Sequence, residues 1–335
     1  MRYQNLNKYF IAVIIVFLTA FSCTPEKEKD VHVVPEKPVA TKPRVVPPTF
    51  NGDSAYAYVK FQADLGPRVP GSKAHEKCVA WYKKQFEKFG AQVTIQSASV
   101  KTFDNKTWLL QNVIASVNPS AKDRVLLSAH YDSRPFSDKE TDPKLQEKPC
   151  PGVNDGASGA GVLLEVARIL QTKSPSIGID IILFDLEDYG KPNGDFEDTE
   201  TWCLGSQYWS KNPHKAGYTA RFGILLDMVG AKGATFPKEG LSVFYAPDVV
   251  TKVWKAAAVS GVNGYFLDQE SGEMTDDHAF INKIAQIPCI DILHYDISRN
   301  AFFPHHHKTT DDMSNIDKET LKAVGQTLLE VIYNE

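Results

Sequence analysis

Residues 124–132 read RVLLSAHYD, an apolar run that ends in a histidine, a tyrosine and an aspartate. A short apolar run of this kind is typical of a strand in a sheet that is covered on both faces. Such runs predict buried strands at Arg124–Ala129, Ile179–Phe184, Phe222–Leu226, Leu241–Tyr245 and Ile287–Leu293. In sheets of this type ligands bind beyond the carboxyl ends of the strands, so polar residues at those ends are candidate site residues.

Helical patterns separate many of the predicted strands. Val79, Tyr82 and Phe86 have the spacing of one helix face within Ala74–Phe89, and Gly90 follows as a C-terminal cap. Further helices are predicted at Ser158–Gln171, Val249–Ser260 and Asp317–Tyr333. Strands alternating with helices predict an α/β fold, here a single three-layer sandwich whose central mixed, mostly parallel β-sheet is flanked by helices.

The charge balance excludes one class of partner. The chain has 335 residues and a formal net charge of −4, with no excess of Lys and Arg over Asp and Glu. A nucleic-acid-binding protein needs a basic footprint to hold the phosphate backbone. We therefore expect no nucleic-acid partner.

The first residues have the pattern of a secretory signal. Arg2 and Lys8 precede an apolar run over residues 9–21, and Cys23 follows directly. The run is short for a membrane span, and a cysteine at its end predicts a signal peptide over residues 1–22 and lipidation of Cys23. Ordinary secretion and an uncleaved anchor are the alternatives. The lipidated form would be membrane-anchored in the periplasm or cell envelope of a Gram-negative bacterium.

A tether is predicted between this signal and the folded domain. Residues 24–48 are rich in Pro, Lys and Glu and poor in large apolar side chains. Such a segment cannot bury enough apolar surface to fold, so it predicts an extended spacer. We place the tether at residues 23–48 and one folded domain at residues 49–335.

The remaining cysteines lack the paired spacing of a zinc–cysteine site. They are Cys78, Cys150, Cys203 and Cys289. In an oxidising compartment Cys150 and Cys203 are the preferred pair for a disulfide, since both lie in predicted loops beside candidate site residues. Four free, buried thiols are the alternative.

Polar side chains follow three of the predicted strands. His130 follows the first, Glu187 and Asp188 follow the second, and Asp227 follows the third. A single acid in such a position is usually just a solvated strand end. Because the carboxyl ends of parallel strands meet at one edge of a sheet, the three groups together predict a shared site.

Two loops add residues to this site. Asp155 lies in residues 154–159, NDGASG, and His307 opens residues 307–311, HKTTD. Asp155 alone is also compatible with a turn or a helix start. With the strand-end residues, however, Asp155 and His307 complete a set of carboxylates and imidazoles suited to zinc. Acids that are not ligands can then carry protons.

These motifs resemble the zinc aminopeptidases related to vibriolysin-type exopeptidases and, within them, the animal-type glutaminyl cyclases. The resemblance covers nearly the whole predicted domain, through residues 65–72 (LGPRVPGS), 130–133 (HYDS), 154–159, 226–230 (LDMVG) and the His307 motif. It implies an enzyme that converts the N-terminal glutamine of peptides and proteins into pyroglutamate and releases ammonia.

The metal count separates the two groups of enzymes. The resemblance to the cyclases implies one zinc ion, held by Asp155, Asp188 and His307. In the aminopeptidases, His130 and Asp227 would bind a second ion, with Asp155 as the bridge. Asp188 stands where the animal cyclases have a glutamate, so this proposed ligand is one methylene shorter.

Two features favour the cyclase. Asp276 precedes Asp277-His278, where many aminopeptidases keep only an Asp-His pair, and residues 130–137, HYDSRPFS, also resemble the cyclases. The alternatives are a two-zinc aminopeptidase, in which Glu187 activates a water molecule, and a zinc-binding lipoprotein without catalysis.

The resemblance also implies roles for further residues. Glu187 would take a proton from the substrate amine and deliver it to ammonia, and Asp276, with Asp227 behind it, would hydrogen-bond to steady that transfer. The substrate-binding residues would be Trp202, Phe303 and His306. Trp202 could equally be a core aromatic. We expect the protein to be a monomer.

Overall fold

The computed structural model describes residues 43–192 and 196–335 and contains a six-stranded central sheet. In chain order its strands are β1 (Gln92–Lys101), β2 (Thr107–Val117), β3 (Arg124–His130), β4 (Gly178–Phe184), β5 (Gly223–Asp227) and β8 (Cys289–Leu293). Two small ladders lie outside it, formed by β6 (Phe236–Lys238) with β7 (Phe266–Glu270) and by β9 (Tyr295–Asp296) with β10 (Ala301–Phe302).

The sheet has the order β1-β2-β4-β3-β5-β8. Strand β2 pairs antiparallel with both β1 and β4, whereas β4, β3, β5 and β8 run parallel to one another. The predicted mixed, mostly parallel sheet is therefore confirmed.

The helices lie on both faces of this sheet. In chain order they are α1 (Gly52–Leu65), α2 (Lys73–Lys88), α3 (Pro143–Gln146), α4 (Ala157–Thr172), α5 (Leu204–Lys211), α6 (Gly240–Tyr245), α7 (Pro247–Val259), α8 (Asp277–Phe280) and α9 (Lys318–Asn334). Polar side chains set several of the starts: Ser72 caps α2 and Asp317 caps α9, each accepting a backbone N–H of the first turn.

Successive residues of the central strands face opposite layers. Leu127 and Ile181 pack in the larger core, which includes residues of α1, α4 and α9, whereas Leu126 and Ile182 pack with Trp209 of α5. Strand side chains alternate in direction, and here both directions are apolar. Two-sided burial explains why these strands read as unbroken apolar runs, and it confirms the three-layer sandwich.

One predicted strand is wrong. Leu241–Tyr245 lies in the helix α6. The Glu239 carboxylate accepts hydrogen bonds from the backbone N–H groups of Leu241 and Ser242 at 2.8 Å and 2.7 Å, which caps the first turn. Apolar periodicity alone does not separate a short buried helix from a strand, and the cap decides between them.

The hairpin of β1 and β2 and the helix α1 are not among the predicted elements. In β1 exposed and half-buried residues alternate, the pattern of a strand covered on one side. Residues 102–106, which connect β1 with β2, include Asn105 in the left-handed region. Alternation together with this turn is the signal that would have identified the hairpin.

The compact unit spans Arg44–Glu335 and so begins five residues before the predicted boundary at 49. Arg44 forms an ion pair with Glu330 on α9, and the Val45 backbone N–H donates to Asn334 at 2.8 Å. The predicted signal peptide, Cys23 and most of the tether lie outside the described residues. Among the residues that are described, no helix is long and apolar enough to cross a membrane.

The four cysteines of the described part are free and buried, which corrects the preferred Cys150–Cys203 disulfide. The Cys150 thiol lies 3.3 Å from the Ser137 hydroxyl. The Cys203 thiol instead donates to the Glu187 carboxylate at 3.3 Å. The Cys150 and Cys203 thiols therefore have different polar partners. The alternative, four free and buried thiols, is the one that the described residues show.

Candidate metal centre and active site

The strand ends meet as the sequence predicts. In the register of β3 and β4, His130 pairs with Phe184, and these are the last residues of the two strands. The residues that follow β4 therefore begin beside His130. In the register of β5 and β8, Asp227 pairs with Leu293. The carboxyl edge of the parallel strands therefore collects an imidazole and several carboxylates at one place.

Asp155 lies at the centre of this collection. Its Oδ1 is 3.1 Å from His130 Nε2, and its Oδ2 is 3.9 Å from the Nε2 atoms of both His306 and His307. His130 Nε2 also lies 3.2 Å from Asp227 Oδ1. The two oxygens of Asp155 thus face two separate groups of nitrogen and oxygen atoms, as expected for a bridging carboxylate.

The first group holds the three proposed ligands of a single zinc ion. His307 Nε2 lies 3.1 Å from Asp188 Oδ1 and 3.9 Å from Asp155 Oδ2, and all three residues are buried. Burial raises the pKa of Asp188, and the nearby Asp155 carboxylate raises it further. Two buried carboxylates and an imidazole crowded together are a donor set that a divalent cation would neutralise, so these residues fit zinc.

The second group, His130, Asp155 and Asp227, is also complete and buried. Burial disfavours the cationic form of His130, but the neighbouring carboxylates of Asp132, Asp155 and Asp227 hold its pKa well above the usual value. Burial raises the pKa of Asp227 to about 7, against the lowering effect of its hydrogen bond with His130. The carboxylates of this group therefore favour the protonated form of His130 when no metal is bound.

Two buried aspartates hold the loops of the site. Asp132 accepts the backbone N–H groups of Glu187 and Asp188 at 3.1 Å and 3.2 Å. Asp311 accepts those of Asn154 at 2.9 Å and Asp155 at 3.1 Å. Both aspartates lie in the sequence motifs described above, but their positioning roles depend on loop geometry that residue spacing does not reveal.

Glu187 has the surroundings of a proton carrier. Its Oε1 accepts from the Cys203 thiol, and its Oε2 lies 3.7 Å from His130 Nδ1. Burial raises the pKa of Glu187 well above its usual value, and Asp188 and Asp276 raise it further, although His130 acts in the opposite direction. A buried carboxyl with a raised pKa is a better proton acceptor than an exposed one, as a general base requires.

Asp276 lies beside Glu187, as predicted. Atoms of Glu187, Cys203 and Asp276 approach within 4.8 Å of one another. Asp227 is near enough to be affected electrostatically by Asp276, but its hydrogen bond is to His130. A carboxylate oxygen of a further buried acid, Asp291 of β8, lies within 4.8 Å of one of Asp276. Asp291 was not identified from the sequence.

A cavity of about 340 Å³ opens onto these acids. Its lining includes Glu187, Trp202, Phe302, His306 and His307. Phe303, which was expected there, lines a different cavity and packs against His294. Phe302 is the last residue of β10 and Phe303 follows it, so their side chains point to opposite sides. The phenylalanine that lines the site is therefore Phe302, one position earlier.

Trp202 forms part of the wall and is not a core aromatic. Its ring is parallel to that of His307, with centroids 5.8 Å apart and 6° between planes. Gly190 makes room for it, since a Cβ atom at position 190 would come within 1.9 Å of the indole. The sequence identified Trp202 correctly as a wall residue but gave no sign of the glycine beneath it.

Comparison with known proteins identifies the family. The model of "Peptidase family M28" matches residues 112–332, about two thirds of the chain. The protein belongs to this family. The solved structure of a Zn-dependent exopeptidase from Parabacteroides distasonis is 49% identical with a TM-score of 0.84, and the match covers 87% of this chain and 100% of that one.

The solved structures that resemble this chain include bacterial glutaminyl cyclases. That of Bacteroides thetaiotaomicron, bound to N-acetylhistamine, is 51% identical with a TM-score of 0.85, and the match covers 87% of this chain and 100% of that one. The glutaminyl cyclase of Tannerella forsythia is 49% identical with a TM-score of 0.83, covering 86% of this chain and 100% of that one.

Curated relatives are more distant. The aminopeptidase YwaD of Bacillus subtilis is 27% identical over 80% of this chain, which spans only 53% of that protein's length. The glutaminyl-peptide cyclotransferase of Bos taurus is 25% identical over 80% of this chain and 79% of its own length.

Proposed function

We propose that this protein is a glutaminyl cyclase, which closes the N-terminal glutamine of peptides and proteins to pyroglutamate and releases ammonia. The observation that carries the proposal is the 51% identity to a bacterial glutaminyl cyclase along that enzyme's whole length. The chain's own geometry supports it, because Asp155, Asp188 and His307 come together at one side of the cavity and Glu187 lies at the same edge.

A single zinc ion would be held by Asp155, Asp188 and His307. When bound, zinc supplies a Lewis acid for an amide carbonyl oxygen. The side chains must do the rest of the work. Trp202, Phe302 and His306 enclose a short substrate side chain, and a substrate folded within this cavity brings its amine and its amide carbon close together, which removes much of the entropic barrier.

Glu187 carries the proton in this proposal. The nucleophile is the α-amine of the substrate and the leaving group is ammonia, so one proton must leave the first nitrogen and reach the second. Glu187 accepts it on a carboxylate oxygen, which its raised pKa favours, and then returns it to the leaving nitrogen. Asp276 lies within 4.8 Å of Glu187 and would hydrogen-bond to steady the proton transfer.

A two-zinc aminopeptidase is the second candidate, and one observation favours it. His130, Asp155 and Asp227 retain a complete second set of donors within 4.8 Å. In this alternative the substrate would lose its first residue by hydrolysis.

One experiment separates the candidates. The purified protein is incubated with an N-terminal glutamine peptide and, separately, with leucine amide, and ammonia and free amino acid are measured. Elemental analysis after dialysis counts the zinc. We expect pyroglutamate, no free leucine and one zinc per chain. Leucine release with two zinc ions per chain would replace the proposal by the aminopeptidase, and zinc without turnover of either substrate would favour a non-catalytic lipoprotein.

We also propose that the protein is a monomer anchored in the cell envelope by lipid on Cys23. The support is the sequence pattern of residues 1–23 and the apolar-poor segment that follows. Mass spectrometry of the N-terminal peptide from the membrane fraction tests the lipid, and light scattering of a chain starting at residue 44 tests the monomer. An unmodified Cys23 would contradict the anchor, and a dimeric mass would contradict the monomer.

A further inference from the structure

Arg134 and Asp138 form a buried pair directly behind the proposed zinc ligands. We propose that this pair positions the metal site: Asp138 orients the ring of His307, and Arg134 holds both Asp138 and the main chain of Asp188. The inference rests on the proposed function only in taking Asp188 and His307 as metal ligands. Neither Arg134 nor Asp138 is proposed as a metal ligand, although Asp138 also lines the cavity.

The pair itself is rigid. The Arg134 side chain is fully buried. Its Nε donates to Asp138 Oδ1 at 2.7 Å and its Nη2 donates to Asp138 Oδ2 at 2.9 Å. Two parallel hydrogen bonds between a planar guanidinium and a carboxylate fix the carboxylate in orientation as well as in position.

Arg134 also fixes the loop that carries Asp188. Its remaining terminal nitrogen, Nη1, donates to the backbone oxygens of Asp188 at 2.9 Å and of Gly190 at 3.3 Å. The same nitrogen lies 3.7 Å from Asp188 Oδ1. One arginine therefore connects Asp138 to the main chain of a proposed ligand.

Asp138 faces the side of His307 that is turned away from the other ligands. Its Oδ1 lies 3.3 Å from His307 Nδ1, while His307 Nε2 faces Asp188 Oδ1 at 3.1 Å. A histidine that binds a metal through one ring nitrogen generally presents the other to a carboxylate, carbonyl or water, which fixes its tautomer and ring angle. Asp138 Oδ1 is the carboxylate oxygen that faces His307 Nδ1, a buried nitrogen that has no hydrogen-bond partner in the arrangement described.

The faces of the guanidinium are also occupied. Arg134 lies 4.4 Å from the ring centre of Phe136 and 4.5 Å from that of Trp202. Trp202 in turn stacks on His307. Because the flat guanidinium contacts the indole that packs against His307, a lysine at position 134 would keep the charge but lose both the fork and the stacking.

The test measures zinc affinity without using the enzymatic reaction. Wild type, Asp138→Ala and Asp138→Asn are stripped of metal and titrated with zinc against a chromogenic chelator. Removal of a carboxylate that orients a metal-binding histidine typically weakens metal binding by about 10–100-fold. We expect that loss for Asp138→Ala, and a smaller loss for Asp138→Asn, whose amide oxygen can still accept from His307 Nδ1.

Asp180→Asn is the matched control. Asp180 forms the same two-bonded pair with Arg124, but at the start of β3 and near the start of β4, away from the site. This variant should lose stability and keep the zinc affinity of the wild type. Equal losses of zinc affinity in Asp138→Ala and Asp180→Asn would show a general effect of destabilisation and overturn the inference.

Arg134→Lys gives an independent readout. We expect weaker zinc binding and an altered absorption spectrum of the cobalt-substituted protein, since the ring of His307 would no longer be held at one angle. Wild-type affinity and spectrum in both Asp138→Ala and Arg134→Lys would overturn the inference. If Asp138→Ala does not fold, Asp138→Asn and Arg134→Lys decide. A wild type that binds no zinc would instead refute the proposed metal site itself.

Discussion

Two buried arginine–aspartate pairs lie at opposite ends of the same parallel strands. At the amino end, Asp180 accepts from Arg124 Nη2 at 2.7 Å, from the Ser116 hydroxyl and from the Tyr218 hydroxyl at 3.0 Å. Arg124 Nε also donates to Asp180, and the remaining N–H groups of Arg124 donate to backbone oxygens of residues 117, 118 and 121. The guanidinium and the carboxylate are therefore both hydrogen-bonded within the protein, and His214 Nε2 lies 3.8 Å from Asp180 Oδ1.

The carboxyl end, where Arg134 and Asp138 lie, has no such balance. Asp188 Oδ1 and His130 Nδ1 are buried there without a hydrogen bond, and Leu186, Met228 and His307 adopt left-handed backbone conformations. Strained backbone and crowded acids cost stability, and proteins keep them where a function needs them. The Arg124–Asp180 pair thus stabilises the fold at one end of the strands. The Arg134–Asp138 pair, at the other end, supports a ligand set that needs a cation.

The largest effect is expected from breaking the balanced end. Asp180→Ala would leave Arg124 buried without its carboxylate, which typically costs about 3–5 kcal/mol of unfolding free energy. Urea unfolding measures this, and the turnover of the folded variant should match the wild type. A cost below about 1 kcal/mol would mean that Arg124 finds other partners and that the two ends differ less than proposed.

The acid dependence of this variant sharpens the same point. Burial raises the pKa of Asp180, but the neighbouring His214 and the hydrogen bonds from Arg124 and Ser116 outweigh it and hold the pKa below the usual value. A lowered folded-state pKa gives stability that is fully present above the unfolded pKa of about 3.9 and is lost as the pH falls below it. The stability difference between wild type and Asp180→Ala should therefore shrink below about pH 4, and a constant difference down to pH 2 would contradict the assignment.

At the other end the adjacent acids should separate chemistry from metal binding. Glu187→Gln keeps the size of the side chain and removes the titrating group, so we expect turnover to fall roughly 100-fold or more while zinc stays bound. Asp188→Ala should lose zinc, and Asp188→Glu, with a longer carboxylate, should keep it. Steady-state kinetics and elemental analysis of the three variants measure this. Zinc loss in Glu187→Gln with zinc retained in Asp188→Ala would reverse the two roles.

A smaller effect is expected from Trp202, which lines the cavity beside Arg134. Trp202→Ala removes the ring that packs between Arg134 and His307, and aromatic contacts of this kind contribute about 0.5–1.5 kcal/mol. We expect KM for a glutamine peptide to rise by up to roughly tenfold, with a smaller rise for Trp202→Phe. An unchanged KM in Trp202→Ala would place the substrate elsewhere in the cavity.

The smallest effect is expected from a third pair, Arg44 with Glu330, because the Arg44 side chain is 51% exposed. Water screens such a pair and solvates its charges. The midpoint of urea unfolding should move much less for Arg44→Ala than for Asp180→Ala. A comparable shift would show that residues 44–50 contribute to the core, and it would extend the balanced region of the molecule to its described N-terminus.

The sequence predicts more of the site than of the connections that hold it. The family resemblance implies Asp155, Asp188 and His307 through motifs in two loops and after β4. Asp138 is not implied in this way, because His307, which it faces, lies far away in sequence although Arg134 is only four residues from it. Asp291 comes close to Asp276 only through the fold. The Leu241–Tyr245 run fails for a related reason: the cap from Glu239 and the packing of α6 decide its structure, and periodicity over five residues does not.

The prediction for Phe303 shows how precisely a sequence can assign a cavity-lining residue. Phe302 ends β10 and Phe303 follows it, so their side chains point to opposite sides of the chain. A motif can therefore locate the wall of a cavity without specifying which aromatic residue forms it. Phe302 occupies the site, and Phe303 packs beside His294. Sequence alone is therefore more secure for ligand residues, which are rare in type, than for lining residues, which are common.

The parallel stack of Trp202 on His307 also makes the protein its own optical sensor. An indole in contact with an imidazolium loses fluorescence, whereas a neutral imidazole quenches it much less. Burial lowers the pKa of His307, but the Asp188 and Asp138 carboxylates raise it to about 9, which favours a protonated ring in the metal-free protein. A cation bound at Nε2 would displace that proton, and the emission of Trp202 would then follow occupancy of the metal site in real time.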